Sequence, residues 1–273
     1  MVNETSGSHQ EELIAELRTM LGEGNADAVN VIDCKADGQP SRGDLERAGV
    51  DHFVVHGGDG SLNYATRELE GWGGALLALP GGTANLLCHR LYDECDSRDI
   101  VQRYMNGQFE PCRIRCVRGS SVFGLSEVLA GPGAKWADVR EDLRDNDFTD
   151  AASEAAEAIA ESWGGPKILL RDPACGKEDG YAGVRLSPMP SGIRIQGYTA
   201  DTVGDFLGQG LAILKHNFRD GPHDDLEPVA AITCASEDDS PIPLMVDGER
   251  FEGKSRERFS LATLDLDLLC PLA

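Results

Sequence analysis

Two glycine clusters carry the residue types and spacing for phosphate chemistry: Gly57-Gly58-Asp59-Gly60-Ser61-Leu62-Asn63 and, further on, Pro80-Gly81-Gly82-Thr83-Ala84-Asn85. Glycine takes φ > 0 and has no side chain to hold a phosphate away from the backbone. Successive N–H groups at a helix N-terminus, which carries roughly half a positive charge, make an anion site. Asp59, set among the glycines, is a hard oxygen donor suited to Mg²⁺ beside a polyphosphate. Near the end of the chain, Asp247-Gly248-Glu249 places two carboxylates about a glycine, so that one can face a metal and the other a substrate hydroxyl. The same tripeptide also commonly forms an acidic β-turn on a surface hairpin.

These residues need elements to hold them. Phe53-Val54-Val55 and the run Ala75 to Leu79 are short, apolar and stopped by the glycines, the pattern of buried parallel strands. Helical spacing follows each loop, at Leu62, Ala65, Thr66 and Leu69 and then at Leu86, Leu87 and Leu91. Loops at the carboxyl ends of adjacent parallel strands face one crevice. The recurrence of Leu13, Ile14, Leu17, Met20 and Leu21 predicts a first crossover helix over Glu11 to Leu21. Ala28 to Ile32 reads as a strand, and Gly43 to Ala48 and Arg98 to Met105 as helices. This order predicts a doubly wound parallel sheet in a nucleotide-binding domain over 1–111.

From Cys112 the period changes. Cys112 to Val117 and Ser121 to Leu125 alternate, predicting antiparallel strands. Further strands are expected at Lys167 to Arg171, Gly183 to Leu186, Gly192 to Gln196, Ala230 to Cys234, Leu244 to Val246 and Phe259 to Leu269, with helices at Ala137 to Arg144 and Asp150 to Trp163. The second domain, 112–273, is thus expected to be a mainly antiparallel β-sandwich that binds the acceptor. Whether its C-terminal segment packs back on the first domain stays open.

Length and composition narrow the classes. The 273 residues suffice for two domains, and 41% hydrophobic content suits a globular chain. A net charge of −22 disfavours nucleic acid and gives no general attraction to anionic membranes. The basic residues are 19 Arg and 6 Lys, a skew that fits either high-salt adaptation or a GC-rich genome. No apolar stretch approaches the ~20 residues needed to cross a bilayer. The N-terminus lacks a charged-then-apolar signal, so a cytoplasmic protein is expected, with peripheral attachment to a membrane left open. The eight cysteines, without a Cys-x-x-Cys pair, are expected to be reduced thiols. Cys112 and Cys116 are expected to fill a core face.

The paired glycine motifs resemble the signature of the diacylglycerol kinase catalytic domain, shared by sphingosine and ceramide kinases and soluble bacterial lipid kinases. The first motif also occurs in phosphofructokinases and, nearly copied, in NAD kinases; Gly82-Thr83-Ala84-Asn85 is what selects the lipid-kinase group. The resemblance implies an NAD kinase/diacylglycerol kinase-like fold. It also implies transfer of the γ-phosphoryl group of ATP, with Mg²⁺, to a hydroxyl of a diacylglycerol- or sphingoid-like lipid at the membrane surface, in phospholipid biosynthesis.

Residue by residue, the resemblance makes Gly57, Gly58, Asp59, Gly60, Ser61, Leu62, Asn63, Gly82, Thr83 and Asn85 nucleotide contacts. Val2-Asn3-Glu4-Thr5-Ser6-Gly7 resembles the family's first phosphate loop, with Glu4 where proline is usual, which adds Asn3, Ser6 and Gly7. A full strand normally precedes that loop; here either the first strand is only Met1 to Asn3 or the start of the chain is misplaced. Asp59 and Asp247 are implied at the metal, Asp247 and Glu249 in catalysis, with Glu249 accepting the hydroxyl proton at a domain cleft. Gly131 to Trp136 resembles the family's glycine turn beside the lipid cleft.

Two departures stand out. Tyr64 replaces a common Glu, and Pro188 to Gly192 lacks the carboxylates of the bacterial members' structural Mg²⁺ turn, so that site is not carried over. The alternatives are an NAD kinase or phosphofructokinase-like kinase of a soluble acceptor, or a non-catalytic nucleotide-binding regulator. Homo-oligomerisation stays open.

Overall fold

The structure is a computed structural model that describes residues 1–2, 11–22, 32–33, 37–92, 96–132, 165–199 and 223–272. The expected loop contacts Asn3, Ser6 and Gly7, the strand at 28–31, the segment Gly133 to Trp136 and both helices between 137 and 163 lie outside the described residues. The chain divides into two compact units, Met1–Ile114 with Thr263–Ala273, and Arg115–Ala262.

The first unit begins with α1 (Glu11–Gly22) and α2 (Arg42–Ala48), then β1 (His52–Gly57), α3 (Asp59–Glu68), β2 (Ala75–Pro80), α4 (Leu86–Tyr92), α5 (Ser97–Met105) and β3 (Phe109–Cys112). Ser41 starts α2 through a capping box with Asp44, and Asp96 caps α5 at the N–H groups of Arg98 and Asp99. β1 and β2 pair in parallel from His52–Ala75 to Gly57–Pro80. All six residues of β2 are buried, as a strand covered on both faces requires. Val2 forms isolated parallel bridges to both Asp33 and His56, which set it beside β1.

Among the described residues, the sheet of this unit runs β1-β2-β15-β3, where β15 (Asp267–Pro271) comes from the end of the chain. It pairs in parallel with β2 and antiparallel with β3. The sheet is therefore mixed, where an all-parallel one was expected.

The second unit contains β4 (Arg115–Arg118), β5 (Phe123–Gly124), β6 (Val128–Ala130), β7 (Ile168–Arg171), β8 (Gly183–Met189), β9 (Gly192–Tyr198), β10 (Asp224–Val229), β11 (Ala231–Ser236), β12 (Pro243–Val246), β13 (Glu249–Glu252) and β14 (Arg256–Thr263). They form, among the described residues, a six-stranded sheet β10-β9-β8-β6-β12-β13 and a five-stranded sheet β5-β4-β14-β11-β7. One apolar core draws on both, with Val128, Val184, Leu186, Ile195 and Val246 from the first and Val117, Leu170, Ile232 and Phe259 from the second. Period-two strands bury one face each, and this shared core is the consequence.

Three expectations change. The alternating run Cys112 to Val117 is split between β3 and β4, which belong to different sheets. The run Phe259 to Leu269 likewise divides into β14 and β15 at Leu264, whose N–H donates to Ile114 O at 2.9 Å. Its apolar alternation continues through the break because Leu264 and Leu266 are themselves buried. Finally, not all cysteines are thiols. Cys112 and Cys270 form a disulfide between β3 and β15, their Cα atoms 5.9 Å apart. Cys116 is buried, as a core-facing residue should be. Among the described residues, no helix is long and apolar enough to cross a membrane.

Candidate functional site

The parallel register of β1 and β2 carries both glycine loops off the same end of the sheet, and the ladder continues into them: Gly81 N–H donates to Gly57 O at 2.9 Å. A Cβ on Gly82 would stand 2.6 Å from the Cα of Gly58, and one on Gly81 would stand 2.8 Å from the Cα of Gly57. Real side chains do not tolerate such distances, so these glycines first serve to bring backbone against backbone. Ser97 Oγ, at the start of α5, donates to Pro80 O at 3.1 Å and steadies the second loop from behind.

Asp59 lies in the first turn of α3, only 9% exposed. Its Oδ1 accepts the N–H of Leu87, at the start of α4, at 3.2 Å. One carboxylate thereby links both motifs. The N-cap of α3 is Gly58, which has no side chain to cap it. The N–H groups of Asp59, Gly60 and Ser61 precede any intrahelical acceptor, which is the geometry that favours an anion. As a donor set for Mg²⁺, a single carboxylate suits an ion whose remaining ligands are phosphate and water oxygens.

Several expected contacts have other duties. Asn85 sits at φ 47°, and its side chain closes on Gly82 twice: Oδ1 accepts Gly82 N–H at 2.8 Å and Nδ2 donates to Gly82 O at 2.9 Å. The Gly82 N–H expected to face a phosphate is thus already accepted by Asn85. Leu62 is fully buried and its N–H donates to Gly58 O at 3.1 Å, so it serves the core and the helix. Gly57 is part of the strand ladder. Asn63 O accepts the Thr66 hydroxyl at 2.8 Å, and Thr83 is exposed. Tyr64 is 47% exposed, with the Arg67 guanidinium over its ring at 5.5 Å.

In the second unit, Asp247 and Gly248 are the two residues between β12 and β13, at φ 47° and 90°. Val246 pairs with Glu249 across them. Two consecutive positive φ values are the mark of a type I′ hairpin, which Asp-Gly favours. The bland reading of a turn is correct as local structure, yet Asp247 is only 3% exposed. Its Oδ2 accepts the N–H of Leu125 at 2.7 Å, and its Oδ1 those of Ser126 and Glu127 at 2.8 and 2.9 Å. Asp247, expected at a metal, instead has both oxygens committed to backbone donors. Glu249 is exposed on β13. Sequence reasoning missed Glu127, 4% exposed, which accepts Arg185 Nε at 2.8 Å beside this turn. The separation of Glu127 and Arg185 in the chain hides any such pair.

The chain thus joins a mixed α/β unit with apposed glycine loops to a unit of antiparallel sheets. Residues 1–117 match the family model of the diacylglycerol kinase catalytic domain. A solved structure of a candidate diacylglycerol kinase from Bacillus anthracis str. Sterne is similar at 14% identity, over 98% of this chain and 94% of that one, with a TM-score of 0.65. Another candidate from the same source matches at 14% identity over 100% and 97%, TM-score 0.64. A structure titled as a diacylglycerol kinase of that strain matches at 13% identity over 98% and 94%, TM-score 0.59. No curated protein matches the sequence.

Proposed function

We propose that the protein is an ATP-dependent lipid kinase that transfers the γ-phosphoryl group to a hydroxyl of a diacylglycerol- or sphingoid-like acceptor presented at a membrane. The observation that carries this reading is the backbone contact between the two glycine loops, tied by Asp59 to Leu87, which gathers the α3 N-terminus and both motifs into one rim. The family match over residues 1–117 supports it.

The N–H groups at the start of α3 bind and orient the polyphosphate, and the packed glycines keep side chains out of its way. Asp59 would hold the Mg²⁺, which would supply charge neutralisation at the phosphates. Glu249 accepts the proton of the acceptor hydroxyl as its oxygen bonds to the γ-phosphorus and the bond to the β-γ bridging oxygen breaks, releasing ADP. Asp247 supports this chemistry from the turn.

The test is transfer of labelled γ-phosphate from ATP to a lipid panel, run with Glu249→Gln. Glutamine keeps size and hydrogen bonding but loses proton affinity. Turnover should fall roughly 10²–10⁴-fold while ATP affinity holds. ATP binding without transfer to any lipid would favour a regulator, and transfer to soluble alcohols alone would favour an NAD kinase or phosphofructokinase-like activity.

A further inference from the structure

The Asp247-Gly248-Glu249 turn is built to a standard that a surface hairpin does not need. The left-handed backbone at Asp247, φ 47°, is ordinary for an Asp-Gly hairpin turn; the use of its side chain is not. Its buried carboxylate collects three consecutive backbone N–H groups, from Leu125, Ser126 and Glu127, all within 2.9 Å. The backbone reciprocates, since Asp247 N–H donates to Glu127 O at 3.1 Å. The receiving segment is itself held, because the Glu127 side chain pairs with Arg185 on β8, and Arg185 Nη1 donates onward to Gln196 Oε1 on β9 at 3.2 Å. Glu249 stands two residues from this clamp on the outer strand β13, with its side chain exposed.

We propose that Asp247 is a positioning residue: it locks the turn against the Leu125–Glu127 segment and so fixes where Glu249 presents its carboxylate, and it does not ligate the metal. Charge-assisted bonds to three donors take both lone pairs of Oδ1 and one of Oδ2, so three of the carboxylate's roughly four acceptor sites are spent on the backbone. Bidentate metal binding would have to break contacts that are each expensive to leave unmade in a buried site. The inference rests on the reading of Glu249 as the proton acceptor.

The experiment compares wild type with Asp247→Asn and Glu249→Gln. Amide hydrogen exchange at residues 125–127 is followed in the absence of metal, and kcat, KM for ATP and the Mg²⁺ half-saturation are measured in the kinase assay. Asparagine keeps the shape but turns a donor toward one of the three N–H groups. Exchange at these amides should rise about tenfold or more. Turnover should drop about 10–100-fold, with KM for ATP and the Mg²⁺ half-saturation within about twofold of wild type.

A Mg²⁺ half-saturation that rises with the loss of kcat overturns the proposal and returns Asp247 to the metal. Wild-type amides 125–127 exchanging at unprotected rates overturn it too, and this arm needs neither a folded variant nor an active enzyme. Full activity of Glu249→Gln overturns the proton-acceptor reading and the link to turnover, while the exchange result judges the clamp separately.

Discussion

Gly82 and Gly58 meet backbone to backbone, with only 2.6 Å between the Cα of Gly58 and the position a Cβ on Gly82 would take. Gly82→Val must push the loops apart. Overpacking of this kind destabilises by about 1–3 kcal/mol, and the same displacement should raise the ATP dissociation constant. Urea midpoints and ATP titration check both. A wild-type midpoint for Gly82→Val would mean that the loops have room to part.

Asp59 links the two loops through Leu87 and, in the proposed mechanism, holds the Mg²⁺, and different substitutions separate the two roles. Asp59→Asn retains an oxygen that can accept Leu87 N–H but removes the charge, so the melting temperature should hold while turnover is mostly lost. Asp59→Ala loses both and should also melt earlier, by an amount matching about 1–3 kcal/mol for a buried donor left unsatisfied. Equal melting temperatures for the two variants would deny the loop-linking role.

The disulfide between Cys112 and Cys270 closes a segment spanning a sequence separation of 158. Loop-closure entropy for that length amounts to about 5 kcal/mol as an upper value. Thermal melts should therefore shift down on adding a reductant, and Cys112→Ser should abolish that shift while melting like the reduced protein. Identical melts with and without reductant would show that the bond contributes nothing to stability.

Cys234 supplies a pH dependence. Burial pushes its thiol from 9.0 up to about 12, so the folded chain keeps a proton that the unfolded chain gives up. The unfolded state then binds fewer protons from about pH 9 upward, and stability falls as pH rises toward about 12. The slope from this one group approaches about 1.4 kcal/mol per pH unit. Urea unfolding of wild type and Cys234→Ala at pH 8, 9 and 10 should give a smaller decline in the variant. Parallel declines would assign the alkaline loss to other groups.

Much of this protein was legible in its sequence because the informative features are local. Glycines that stop apolar runs, helical spacing after each loop and Asp-Gly at a hairpin act within a few residues of themselves, and β1, α3, β2, α4 and the β12–β13 turn lie where those features place them. What the tertiary structure decided is where atoms distant in the chain come together. The packing of Gly82 on Gly58, the bond from Leu87 to Asp59 and the pairing of Glu127 with Arg185 have no local signature. Asp247 is the sharpest case. Its type and spacing suit a metal ligand or a surface turn equally, and only the arrival of Leu125, Ser126 and Glu127 across the sheet commits its oxygens to three backbone donors. The same limit hid the division of Phe259 to Leu269 between two sheets, because buried leucines at the break continue the alternation from which a strand is read.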